Sequence, residues 1–316
     1  MEYRSVGRSG LKVSEIALGA WLTFGGSVEK ETARTCIKAA LDSGVNFIDT
    51  ADVYAHGEAE RVVGEIIADL GVRRQDLVIS SKAFWPMSDD VNDRGLSRKH
   101  LMESVAGSLR RLGVDYLDLY FCHRYDPETP VEEVVRTMDD LVHQGKVLYW
   151  GTSVWSAAQI ESAVGTASSL NAYRPQVEQP QYNMLQRHVE PEILGTCHRH
   201  GIGVTVFSPL AQGLLTGKYN EGAPKDSRGA RTDWLKDTLT DENVEKVKQL
   251  TVLAEELGLE MSQLALAWIL RRSEISAVIT GASKPEHVLS NVQAAGVRLE
   301  PDVLERIEAI LGNTPA

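Results

Sequence analysis

Eight short apolar runs, each separated from the next by a segment of helical period, constrain this chain more than any other feature. They fall at residues 16–19, 45–48, 77–80, 117–121, 147–151, 175–177, 203–207 and 277–279. Their length and composition suit strands buried on both faces. Between them, spacings such as Leu101, Val105, Leu109 and Leu112 place apolar side chains along one side of a helix. Three helical segments carry a start signal, Ser or Thr three residues ahead of Glu or Gln: Thr129 with Glu132, Ser156 with Gln159, and Ser283 with Glu286. Ahead of the first run, residues 3–6 and 11–13 flank Gly7-Arg8-Ser9-Gly10 as a short hairpin. No GxGxxG joins a first strand to a first helix, which weakens a dinucleotide-binding open sheet. The alternation predicts an α/β fold, a closed parallel (β/α)8 TIM barrel forming one domain over residues 1–316.

Composition narrows the partners. With 44 acidic against 33 basic side chains and a formal charge of −11, the chain lacks the basic face that nucleic acid requires. Arg110-Arg111 and Arg271-Arg272 are read as solvated helix ends. Three cysteines, Cys36, Cys122 and Cys197, are too few and too scattered for a disulfide framework or a zinc site, which points to a reducing compartment and no metal. His188, His198 and His200 lie on or beside a helix and are read as solvent-facing, not as ligands. The N-terminus lacks a signal pattern, and the longest apolar run, 264–270, is too short to insert in a membrane, so the expected location is cytoplasmic.

In a parallel barrel the C-terminal strand ends open into the active site. Asp49 follows Phe47-Ile48, Lys82 follows residues 78–81, and His123 follows residues 119–122, so three successive strands bring an acid, an amine and an imidazole to one rim. Tyr54 lies in the loop after Asp49. A phenol titrates at about 10 in water, so a tyrosine that donates a proton near neutrality needs a cation beside its phenolate. Lys82 is placed to supply that charge and Asp49 to hold the lysine. His123 is placed to hydrogen-bond a carbonyl oxygen. Such a centre suits proton delivery to a carbonyl while hydride arrives from a cofactor.

At these residues the sequence resembles the aldo-keto reductase family over nearly its whole length. The matching motifs are Asp49-Thr50-Ala51 with Tyr54, Gly57 and Glu60; Ser81-Lys82; Cys122-His123; Gly145-Lys146-Val147 leading to Gly151-Thr152-Ser153; and Gln179 before Tyr182-Asn183. Phe207-Ser208-Pro209-Leu210-Ala211, with Gly213 and Gly217-Lys218-Tyr219, is similar to the branch that holds bacterial aldehyde reductases and potassium-channel beta subunits. The resemblance implies a barrel capped at its bottom by the N-terminal hairpin, and NADP(H)-dependent reduction of small aldehydes or ketones with Tyr54 as general acid. It implies nicotinamide contacts from Trp21, Ser153, Gln179 and Phe207. It also implies pyrophosphate contacts from Ser208, Leu210, Gly213, Lys218 and Arg228, and adenosine contacts from Gly281, Ser283, His287 and Asn291. The helix start predicted at Ser283 would favour a phosphate.

One departure bears on the cofactor. Many relatives carry a lysine, an arginine and a glutamate where this chain has Ala282, His287 and Ser290. Lys284 and Arg228 are the substitutes for the basic pair that grips the 2′-phosphate of NADPH, and NAD(H) stays open as an alternative. Two other functions also stay open: a nicotinamide-binding regulatory subunit of a channel, against which the resemblance sets His123, and a Schiff-base aldolase working through Lys82. A homo-oligomer is expected by analogy with that branch alone.

Overall fold

The computed structural model describes residues 1–21, 29–222, 235 and 237–315. Strands β3 (Ile16–Gly19), β4 (Phe47–Asp49), β5 (Val78–Ala83), β6 (Leu117–Cys122), β7 (Val147–Thr152), β8 (Val177–Glu178), β9 (Gly203–Val206) and β10 (Ile275–Thr280) close into a barrel in which β10 pairs with β3. Every pairing around the ring is parallel, as the predicted alternation requires. The helices that follow the strands are α1 (Lys30–Asp42), α2 (Glu58–Asp69), α3 (Arg98–Leu112), α4 (Val131–His143), α5 (Ala157–Leu170) and α6 (Ile193–His200). After them come α7 (Asp241–Glu256), α8 (Met261–Leu270), α9 (Pro285–Val292) and α10 (Pro301–Leu311).

The apolar residues divide into an interior and a shell because side chains alternate along a strand. Ala17, Phe47, Val78, Leu119, Phe121, Val177, Ala277 and Ile279 pack together inside the barrel. Their neighbours Ile16, Leu18, Ile48, Ile79, Tyr120 and Val278 belong to the larger cluster shared with the helices. Strands β1 (Tyr3–Ser5) and β2 (Lys12–Ser14) pair antiparallel, and Val6 and Val13 from this hairpin join the interior cluster. A Cβ on Gly7, at φ +56°, would lie 2.2 Å from the carbonyl oxygen of Gly201, so the turn is pressed against the lower end of the barrel. The hairpin is therefore a stopper for that end.

Two of the three helix-start signals do not form. Ser156 and Gln159 make the reciprocal box at α5, but α4 begins behind Pro130, and the Thr129 hydroxyl instead donates to Asp126 over 2.7 Å. Helix α9 begins behind Lys284, with Pro285 in its first turn and no side-chain cap, so Ser283 stands one residue outside it. Proline fixes φ at a helical value and needs no amide partner, which sets the helix start ahead of any serine cap. A box that pattern reading passed over, Glu260 with Gln263, opens α8.

The arginine pairs also differ from expectation. Arg110 is exposed, but Arg111 reaches the fully buried Glu60 at 2.6 Å. Arg271 lies 3.6 Å over the ring of the buried Trp268 and donates to the Tyr182 hydroxyl. Both are anchors between helices, not solvated ends. All three cysteines are buried and free, and among the described residues no helix is long and apolar enough to cross a membrane.

Candidate active site

The alternation that fills the interior also aims the chemistry. Phe47 faces inward and Ile48 outward, so Asp49 faces inward. Val78, Ser80 and Lys82 share the inward set on β5, as Leu119, Phe121 and then His123 do on β6. Val177 faces inward, Glu178 outward and Gln179 inward. Each inward series of apolar side chains thus ends, at the upper rim, in a polar one.

Lys82 lies within β5, not beyond it, because the β5–β6 ladder continues through Lys82 opposite Phe121 and Ala83 opposite Cys122. It is 0% exposed, and its ammonium donates to Asp49 Oδ2 at 2.7 Å, to the Thr50 carbonyl at 2.7 Å and to the Tyr54 hydroxyl at 3.4 Å. Asp49 Oδ1 accepts from Ser80 Oγ at 2.7 Å and from Gln179 Nε2 at 3.0 Å. The carboxylate is thereby held by three side chains, which fixes the position of the amine it pairs with. Tyr54 starts a short 3-10 turn, and its ring meets the His123 ring edge-on, with centroids 5.8 Å apart. All four residues expected to form the centre are in one contact group.

The charges around Tyr54 differ from the sequence expectation. Burial and the nearby Asp49 carboxylate hold the phenol well above its ordinary value, with Arg124 pulling the other way. Burial lowers the Lys82 ammonium, while Asp49 raises it. Lys82 and Asp49 form a neutral pair, so the resting tyrosine keeps its proton. Burial first, and then Lys82 and Arg124, keep His123 well below the usual imidazole range, so it is neutral near pH 7. Its Nδ1 is buried without a hydrogen-bond partner.

Two carboxylates that pattern reading overlooked lie behind this centre. Asp52 accepts from Ser104 Oγ at 2.7 Å, and burial pushes its carboxyl up to about 7. Glu178 accepts from Thr152 Oγ1 and from the Trp155 amide, and burial lifts it to about 7 as well. A carboxyl whose folded value is raised binds more proton folded than unfolded, so it costs stability as pH climbs from the ordinary carboxylate range through about 7. Asp52→Asn should therefore be more stable relative to wild type at pH 8.5 than at pH 5.5, measured by urea unfolding. The reverse order would contradict this assignment.

The residues expected to hold a dinucleotide fall into two groups. Ser153 lies beside the centre, with its hydroxyl donating to the Gln179 carbonyl at 2.9 Å and its amide to the Cys122 carbonyl at 3.0 Å. Trp21 is partly buried just past β3, and Phe207 follows β9 with its amide bonded to Pro180 O. Gly281 follows β10 at the rim. Beyond the rim, Ser208 at φ +53°, Gln212 at +55° and Gly213 at +99° turn the chain sharply above Leu210, whose carbonyl accepts from the Gly213 amide. Glycine suits that last position because φ +99° is a backbone conformation that L side chains rarely adopt. Ser283, Lys284 and His287 are exposed, Asn291 is buried on α9, and the charges of both Lys284 and Lys218 reach His287 and lower it further after burial. Two loops distant in sequence therefore bring the ammonium groups of Lys218 and Lys284 close to His287, a pair of donors that fits phosphates. Arg228 and Trp234 lie outside the described residues.

Trp85, Phe84 and Trp234 fall in rim loops by sequence, where an apolar substrate wall and surface packing are equal readings; Trp85 stands beside His123. Arg124, next to His123, was not singled out, because an arginine next to a strand end has no periodic signature. Cys122 is buried on the outward parity with its thiol raised by burial, as expected of an inert cysteine.

Comparison with known proteins agrees with this geometry. The sequence profile of the Aldo/keto reductase family matches residues 15–312. Among curated proteins, a probable voltage-gated potassium channel subunit beta of Arabidopsis thaliana is 47% identical over all of this chain and 98% of its own length. A protein of Oryza sativa subsp. japonica with the same description is 46% identical over the same shares. A putative voltage-gated potassium channel subunit beta of Schizosaccharomyces pombe is 44% identical over 99% of this chain and 94% of its own length. With a closed barrel, an inward acid-amine-phenol-imidazole group and a profile match over nearly the full length, the chain belongs to the aldo/keto reductase family.

Proposed function

We propose that this protein reduces aldehydes or ketones to alcohols with NADPH, Tyr54 acting as the general acid. The observation that carries this reading is the bonded series Gln179–Asp49–Lys82–Tyr54, which puts a neutral phenol against a buried ammonium at the inner end of the site. Bound against Ser153, Gln179 and Phe207, a nicotinamide would supply the hydride. Tyr54 donates its proton to the carbonyl oxygen as negative charge develops there. Lys82, held by Asp49 and Thr50, stabilises the phenolate that remains. Neutral His123 hydrogen-bonds the same oxygen and fixes its direction. Exclusion of water around these buried groups strengthens each of these interactions. The test is loss of nicotinamide absorbance when the protein is mixed with NADPH and a panel of aldehydes; no turnover on any of them would sink the reading.

Preference for NADPH over NADH rests on Lys284, at the cap of α9 and near His287 and Lys218. A charge-assisted phosphate contact contributes about 1.5–3 kcal/mol, so Lys284→Ala should weaken NADPH binding roughly 10–100-fold while NADH changes far less. Fluorescence titration of both cofactors reads this directly. Equal loss for the two would remove Lys284 from the 2′-phosphate.

A second reading is favoured by the relatives, whose descriptions name channel beta subunits over nearly their full lengths. In it, the chain binds the nicotinamide cofactor as a regulatory subunit and its turnover is incidental. Turnover of an aldehyde at many cycles per protein favours the reductase; cofactor binding with no multiple turnover favours the subunit.

A further inference from the structure

We propose that Arg124 is the substrate-selecting residue of this site and that it favours carbonyl compounds that also carry a carboxylate. The inference rests on the reductase reading and extends it to the class of substrate.

The position of Arg124 is specific. Its Nη1 donates to the His123 carbonyl at 2.5 Å, and its guanidinium carbon lies 5.5 Å from the centre of the Trp85 ring. Trp85 in turn meets His123 edge-on at 6.4 Å, and His123 meets Tyr54 at 5.8 Å. Phenol, imidazole, indole and guanidinium thus form one continuous wall from the buried lysine to the rim. Trp85 is 38% exposed and Arg124 is part-buried, so the outer end of that wall meets solvent.

Among the described residues Arg124 lacks an anionic partner, as the part-buried Arg174 also does, but Arg124 alone of the two stands beside the acid–amine centre. Arg4, Arg74, Arg111 and Arg187, which are also part-buried or buried, each hold a carboxylate within 3 Å. Among the described residues no carboxylate lies within 4.0 Å of Arg124. The groups whose fields reach it are the Tyr54 phenol and then Glu178, and that carboxyl faces outward on β8 and is occupied by Thr152 and the Trp155 amide. A guanidinium has five N–H donors in a planar fork that matches a carboxylate, and the His123 carbonyl takes only one. The Trp85 ring, 5.5 Å away, takes none of the remaining donors, which leaves them for a ligand.

Electrostatics of the whole chain point the same way. At a formal charge of −11 the protein repels anionic substrates at long range. A guanidinium at the wall beside Tyr54 and His123 reverses that sign locally, and its charge is felt at both. A neutral aldehyde gains nothing from it. An aldehyde with a carboxylate gains a two-point hold, carbonyl at Tyr54 and His123, carboxylate at Arg124.

The test compares 4-formylbenzoate with its methyl ester, two aldehydes of similar shape and different charge, on the NADPH-loaded protein. In wild type the acid should have the higher kcat/KM. In Arg124→Gln the acid-to-ester ratio of kcat/KM should fall roughly 10–100-fold, mostly through KM, as loss of a charge-assisted pair requires. Arg124→Lys should recover part of the ratio, because charge returns without the fork. Equal loss for acid and ester would mean that Arg124 acts only by supporting the His123 backbone, and would overturn the proposal. Quenching of tryptophan fluorescence by benzoate separates this from failure of the reductase reading. If wild type reduces neither aldehyde, benzoate quenching that is lost in Arg124→Gln still supports the anion site. Quenching unaffected by the substitution overturns it.

Discussion

Replacing Tyr54 by Phe is expected to lower kcat for aldehyde reduction by roughly 10²–10⁴-fold, the range contributed by a placed general acid. The substitution keeps the ring that packs edge-on against His123 and removes only the hydroxyl 3.4 Å from Lys82. Cofactor affinity, followed by fluorescence titration, should stay close to wild type, because Tyr54 has no place among the residues expected to hold the dinucleotide. The effect should also be independent of pH across neutrality, since burial and Asp49 keep the wild-type phenol protonated throughout that range. Turnover that survives unchanged in Tyr54→Phe would remove the tyrosine from the chemistry.

The second large effect concerns stability. Asp49→Leu leaves the Lys82 ammonium at 0% exposure with only the Thr50 carbonyl and the Tyr54 hydroxyl as partners, and strips Ser80 and Gln179 of their acceptor. Removing one member of a buried ion pair costs about 3–5 kcal/mol, whereas replacing both by apolar side chains is often close to neutral. Asp49→Leu should therefore unfold at markedly lower urea concentration than wild type. The double variant Asp49→Leu with Lys82→Met should regain much of the loss and remain inactive. A double variant no more stable than the single one would mean that the pair is not what makes Asp49 important to the fold.

Much of the site was legible because one periodicity governs both packing and chemistry. Asp49 and His123 occupy the next inward position after apolar interior residues, and Lys82 the second after Val78, so the strand runs that fill the barrel also point to the polar side chains at its mouth; Gln179 was legible only through the resemblance. Strand ends were less legible. Lys82 was expected past its strand but belongs to it, because pairing with β6 extends the ladder beyond the apolar run. Helix starts failed where a proline competed with a hydroxyl, as at Pro130 and Pro285. Surface charge failed where a long side chain had a buried partner, as Arg111 has in Glu60. Such pairings join residues far apart in sequence, and nothing local announces them. Arg124 is the same case in the site itself: its meaning comes from what surrounds it in space.

The hairpin that presses Val6 and Val13 into the barrel interior makes this a vessel with a single mouth. Among the described residues the lower end is closed, so on the proposed reading whatever lies deepest, against Asp49 and Gln179, would arrive before and depart after whatever sits between Tyr54, Trp85 and Arg124. A stopper made from the first few residues of the chain would thereby impose a sequence of events on binding at the opposite end.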